Sequence, residues 1–275
     1  MGKLDTMTLE EQQRLPIGVF DSGVGGLTVM TVLKAQFPHE DFIYIGDNAN
    51  NPVGNKPPAE ITDIALNIGR YLENIPVKCA IVACNTFTVI ALEALQSQLT
   101  YPLIGVCKGV HTAIDISPRK KIGVMATTAT INSHKHKVSA QMVNEKVEVF
   151  EQACPDFAHL IEAGHITDRV IEEKAEEYLE NLLDNGVDTI ILGCTHFPFI
   201  KRMMERITKH DIVYVDPAYE TAEEVKRVLA ARNLFNPKSD AGKLELCFTK
   251  DIEMAAKLAS CLIRPKEFSI RDIKL

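Results

Sequence analysis

The chain has 275 residues, 46% of them hydrophobic, and a formal net charge of -7. That length predicts two domains of ~100–200 residues each and enough apolar material for a sizeable core. The acidic balance argues against nucleic acid as a partner, and no uninterrupted apolar stretch of about 18 residues predicts a membrane span.

Residues 1–16 are polar and acidic, without the apolar core of a signal peptide, and are read as a frayed extension. The opening Met1-Gly2 with Thr6 loosely matches a myristoylation pattern, which is set aside as chance. From Ile17 onward, short apolar runs alternate with helical patterns. Strands are expected at 17–20, 42–45, 80–83, 103–106, 122–126, 147–151, 189–192, 212–215 and 244–248, and helices at 60–72, 89–99, 168–183 and 221–231. Four- to seven-residue strands with helices between them predict βαβ units and parallel sheets. Their near-continuous Ile, Val and Leu fit strands covered on both faces.

The expected fold class is α/β: two similar Rossmann-like parallel-sheet domains with the active site in the cleft between them. The first domain is assigned to 17–107 plus 220–275, and the second to 108–219. The seven cysteines are odd in number and irregular in spacing, which is the thiol usage of a cytoplasmic protein rather than a disulfide framework. No CxxC pair suggests a metal site. Cys79, Cys107, Cys247 and Cys261 read as small buried hydrophobes.

The first motif in chain order is Gly18–Gly26, with Asp21 and Ser22 at a strand end before a Gly-rich turn. Its backbone amides could meet an anion, a carboxylate as readily as a phosphate. Alternatively, Asp21 or Ser22 simply caps the next helix. The second is Tyr44–Gly54, where Pro52 and Gly54 fix the chain and the Val53 and Gly54 N–H groups stand free. Two strand ends then carry thiols beside small polar residues: Cys84-Asn85-Thr86 and Cys194-Thr195-His196. Each reads as a strand, a Cys–polar turn and a helix, placed where open α/β sheets bind ligands. A thiol reaches the thiolate near neutral pH more easily than a hydroxyl does, and His196 is suited to tuning it. Two thiols facing one cleft provide an acid and a base of one kind, suited to moving a proton between the two faces of a carbon. Thr130, in a hydroxyl-rich turn, and Glu162, ending a short apolar helix before Ala163-Gly164, are the remaining candidates.

Taken together, GVFDSGVGGLTV, YIGDNANNPVG, VACNT, ACP followed by LIEAG, ILGCTHFP and VDPAYETAEEV resemble the glutamate racemases of the cofactor-independent aspartate/glutamate racemase superfamily. The resemblance spans roughly residues 17–230. It implies that Cys84 and Cys194 are the catalytic thiols and that Asp21, His196 and Glu162 tune them. It further implies that Asp21, Ser22, Val53, Gly54, Asn85, Thr86, Thr130, Thr195 and His196 bind substrate. No cofactor is expected, the substrate is a small amino acid, the assembly is a homodimer, and the product D-glutamate feeds peptidoglycan synthesis. The chain departs from the family pattern at Val53, where a Tyr is usual, at Phe87, where a small residue is usual, and at Cys107-Lys108, where Glu-Pro is usual. These departures leave room for a racemase of aspartate or another amino acid, or for a non-catalytic paralog that binds an acidic metabolite. A Cys-His amidase would leave Cys84 without a task, and a decarboxylase would need only one thiol.

Overall fold

A computed structural model describes residues 6–275; the Met1-Gly2 pair lies outside them. Ten strands form two wholly parallel sheets. They are β1 (Ile17–Asp21), β2 (Phe42–Gly46), β3 (Cys79–Val82), β4 (Leu103–Gly105), β5 (Lys121–Ala126), β6 (Glu148–Ala153), β7 (Thr189–Gly193), β8 (Val213–Val215), β9 (Leu244–Phe248) and β10 (Ser269–Asp272). The six-stranded sheet runs β10-β9-β2-β1-β3-β4 and the four-stranded sheet runs β6-β5-β7-β8. The inner order β2-β1-β3-β4 of the first therefore repeats as β6-β5-β7-β8 in the second.

Each sheet is coated on both faces. In the first, Val19, Tyr44 and Leu246 point into one core while Phe20, Ile45 and Val82 point into the other, the two-residue alternation of a strand. Each such fully buried side chain contributes about 1.5–3 kcal/mol of hydrophobic stabilisation. The second sheet has its own pair of cores, one built on Met125, Leu192 and Phe157 and the other on Val124, Ile191 and Val110.

The chain changes sheets twice. It leaves β4 for the helix Val110–Ile116, and returns after β8 through the helix Ala218–Ala231, whose Ala222, Val225 and Leu229 pack into the first sheet's core. The two crossings touch at Gly109, which has a left-handed φ of 70°. A β-carbon there would lie 3.2 Å from both Pro217 and Val215. Glycine is favoured on both counts.

The segment before β1 is not frayed from Leu9 onward. Leu9–Arg14 is a helix closed by a capping box, with Thr8 Oγ1 accepting from Glu11 N and Glu11 Oε2 accepting from Thr8 N. The Gln13 amide donates to Asn233 O at 2.8 Å. Lys78, wholly buried, donates to the carbonyls of Gln13 and Leu234 and pairs with Glu40 at 2.5 Å. The Thr8-x-x-Glu11 signature was available in the sequence. Cys79 and Cys247 are buried as expected, but Cys107 is only half-buried and Cys261 is exposed near the end of the helix Ile252–Leu262.

Candidate active site

In each sheet the strand order reverses beside the first strand: β1 lies between β2 and β3, and β5 between β6 and β7. Ligands of open α/β sheets bind outside the carboxyl ends of strands at such a switch point. Asp21 ends β1 and Cys84 follows β3; Thr127 follows β5 and Cys194 follows β7. The two switch points face each other and together enclose a cavity of about 400 Å³. Ser22, Val53, Gly54, Cys84, Asn85, Thr86, Cys194, Thr195 and His196 all line it. Both thiols are only 5% exposed.

Cys84 stands at the N-cap of the short helix Asn85–Ile90, with the Ser22 hydroxyl 3.7 Å from its sulfur. Burial pushes the thiol well up, the Asp21 carboxylate adds to that, and the Phe87 N–H and Ser22 hydroxyl only partly offset it. Cys84 is therefore a protonated thiol at neutral pH in the empty site.

Cys194 has a different neighbour. Nδ1 of His196 is 3.7 Å from its sulfur, and Nε2 of His196 is 2.7 Å from Glu162 Oε1. Burial pulls the imidazole's pKa down, but the Cys194 sulfur and the Glu162 carboxylate outweigh it and hold His196 well above the usual histidine value. The thiol on this side thus faces an imidazolium.

The Gly-rich turn does receive an anion, and it is a carboxylate of the protein itself. Val24 N donates to Glu162 Oε1 at 2.8 Å, across 138 residues of chain. The glycines make the approach possible: a β-carbon on Gly25 would lie 2.5 Å from His196 Nδ1 and from Thr195 Oγ1. Neither Asp21 nor Ser22 caps the following helix, whose N-cap is Gly26 with no side-chain bond. Asp21 instead accepts from Gly23 N at 2.8 Å and from Thr195 Oγ1 at 3.0 Å. Burial raises its pKa, with His196 the main opposing influence.

Asp21, Glu162 and Thr130 stand behind the cavity wall rather than in it. Asp21 reaches Thr195, Glu162 reaches His196, and Thr130 accepts from Thr127 Oγ1 at 3.1 Å. Thr127 in turn is 2.9 Å from Thr86 Oγ1, so a chain of hydroxyls crosses the cleft. Sequence reasoning missed Thr127 as a wall residue, Thr28, which donates to Thr195 O at 2.9 Å, and Tyr44, which donates to Gly23 O at 2.6 Å. Thr127 sits in the hydroxyl-rich turn already singled out; no motif signals the other two. Phe87 packs in the first sheet's core, and Lys108 lines a groove beside the crossings. Of the departures at 53, 87, 107 and 108, only Val53 reaches the cavity.

Among the described residues no helix is long and apolar enough to cross a membrane. The family model for Asp/Glu/hydantoin racemases matches residues 22–225. A glutamate racemase of Geobacter metallireducens is 40% identical over 227 residues, covering 82% of this chain and 84% of that relative. One from Methylococcus capsulatus is 37% identical, covering 94% and 95%. Among solved structures, a glutamate racemase isoform of Bacillus anthracis superposes with a TM-score of 0.88 at 30% identity, covering 96% of this chain and 98% of that one. The Francisella tularensis glutamate racemase in complex with D-glutamate superposes with a TM-score of 0.85 at 32% identity, covering 95% and 98%. In sequence and in fold alike, along most of its length, the chain belongs to the Asp/Glu/hydantoin racemase family of isomerases.

Proposed function

We propose that the protein interconverts L- and D-glutamate by a two-thiol proton transfer that uses no cofactor. The observation that carries this reading is the pair of thiols, one from each sheet, lining a single buried cavity. In the resting site Cys194, beside the His196 imidazolium, is the thiolate, and Cys84 is the thiol. With the α-carbon between the sulfurs, Cys194 takes the α-proton: the C–H bond breaks, an S–H bond forms, and the electron pair stays on carbon. The Cys84 S–H bond then breaks and its proton forms a new C–H bond on the opposite face. Cys84 is left as the thiolate, ready to run the reaction in reverse on the other isomer.

The carbanion is costly, and its charge has to be met by donors already in place. Asn85, Thr86 and Thr195, each within two residues of a thiol, are suited to the α-carboxylate. The backbone N–H groups of Val53 and Gly54 donate no hydrogen bond among the described residues and remain available to an anion. With both sulfurs so deeply buried, substrate reaches them when the walls part, and closure then excludes water.

The assignment of glutamate leans on the relatives named above. Val53 in the cavity wall gives a specific reason to test aspartate alongside it. In D2O, L-glutamate is expected to yield D-glutamate carrying deuterium at the α-carbon, because the donated proton comes from a solvent-exchanged thiol. Racemisation of aspartate but not glutamate would overturn the substrate. Cys84→Ala and Cys194→Ala are each expected to abolish racemisation, and near wild-type turnover in either variant would falsify the two-thiol scheme. In a bacterial cell such an enzyme, a cytoplasmic homodimer on this reading, supplies D-glutamate for peptidoglycan.

A further inference from the structure

Asn51 belongs to no motif in the sequence and is used by none of the contacts above. Asn51 and Pro52 line both the cysteine cavity and the pocket next to it, which His159, Glu162 and Lys250 also border. Asn51 therefore stands at the junction between the reaction chamber and the outside. Its Nδ2 is buried and has no hydrogen-bond partner among the described residues. Its neighbour Asn50, by contrast, donates to Asp47 Oδ2 at 2.7 Å. A buried amide without an acceptor is unusual, since native structures pair nearly all such groups and leaving one unpaired is costly. The amide hangs over the Gly-rich turn: a β-carbon on Gly23 would lie 2.8 Å from it. Pro52 and Val53, the next two residues of this wall, offer no side-chain donor.

We propose that Asn51 is a substrate-recognition residue whose side-chain amide donates to the distal carboxylate of the bound amino acid. The assignment rests on the racemase reading above. That reading puts the α-carbon between the two sulfurs and its carboxylate among Asn85, Thr86 and Thr195. What extends toward the outer pocket is then the side chain, and the first free donor it meets there is Asn51. The amide supplies a neutral, directional donor to the acid without placing a second positive charge near His196.

The test is equilibrium binding of D-glutamate, measured by calorimetry, to the wild type, Asn51→Ala and Asn51→Asp, with a thermal melt of each. Losing one hydrogen bond to a charged acceptor corresponds to binding about tenfold weaker in Asn51→Ala, with the melting temperature unchanged because the loop is half-exposed. Asn51→Asp, which sets carboxylate against carboxylate, is expected to bind more weakly still. Affinity within twofold of wild type in Asn51→Ala, or tighter binding by Asn51→Asp, overturns the assignment. Racemisation is followed separately in the wild type. Binding without racemisation of either isomer removes the racemase reading while the Asn51 comparison still decides this one, and absence of binding by the wild type removes both.

Discussion

Gly23→Ala tests whether Glu162 serves the site from across the cleft. Gly23 does not have a left-handed φ, so alanine costs nothing in the backbone. The new β-carbon would lie 2.0 Å from Glu162 Oε1, and relaxed non-bonded contacts need about 3.5 Å. The carboxylate tip must therefore retreat by roughly 1.5 Å. It can do so, because Glu162 ends a flexible side chain that borders the outer pocket. Folding is thus little affected, and a change of less than about 3 °C in Tm is expected. The site is affected strongly. The retreat takes Oε1 away from Val24 N at 2.8 Å and from His196 Nε2 at 2.7 Å. Hydrogen bonds to a charged group contribute about 1.5–3 kcal/mol each. Water in the outer pocket returns part of that, leaving a loss of about 3 kcal/mol, or roughly a hundredfold in kcat/KM. The assay is glutamate racemisation followed by polarimetry, in Gly23→Ala, Glu162→Ala and the double variant. If the glycine acts through Glu162, adding Gly23→Ala to Glu162→Ala costs less than about threefold. Activity within threefold of wild type in Gly23→Ala, or losses that multiply in the double variant, would refute the argument.

Two further predictions concern buried charges. Lys78→Met strands the buried Glu40 carboxylate and frees two carbonyls, so stability should fall by about 3–5 kcal/mol. Pairing it with Glu40→Gln should restore part of that in urea melts, and a single variant within 1 kcal/mol of wild type would show the pair to be dispensable. His136 is buried, and burial lowers its pKa from 6.5 to about 4. The unfolded chain then binds the extra proton between those values, so this group's contribution is full above pH 6.5 and is lost as pH falls toward 4. His136→Leu should flatten that acid-side decline by about 3 kcal/mol at pH 4, and an unchanged slope between pH 7 and 4 would contradict it.

The sequence is most readable where burial is heaviest. Strands β1, β2, β3 and β7 are buried at every residue, and their apolar runs announce them. β10, Ser269–Asp272, has no buried residue. It joins the sheet edge by backbone pairing to β9, which leaves no hydrophobic trace. The thiols were legible because each sits beside polar residues at the end of an apolar run. Glu162 could be read only through the resemblance, since in isolation it is one more carboxylate on a short helix. Its significance comes from Val24 and His196, both far from it in the chain. Asn51 and Thr127 illustrate the same limit: a wall residue acquires meaning from what faces it, and periodicity carries no record of that.

The repeated strand order has a consequence for handedness. An enzyme acting on mirror-image molecules cannot itself be mirror-symmetric, because its own residues have one hand. Two sheets with the same inner order, each offering a sulfur from its own switch point, are a way for one chiral chain to approach a carbon alike from opposite sides. The imitation is imperfect here, since Ser22 attends one sulfur and His196 the other. Thermodynamics nevertheless imposes full equality on the outcome. Two enantiomers have the same free energy in water, so kcat/KM must be identical in the two directions. Whatever inequality the neighbours create in kcat is returned in equal measure in KM.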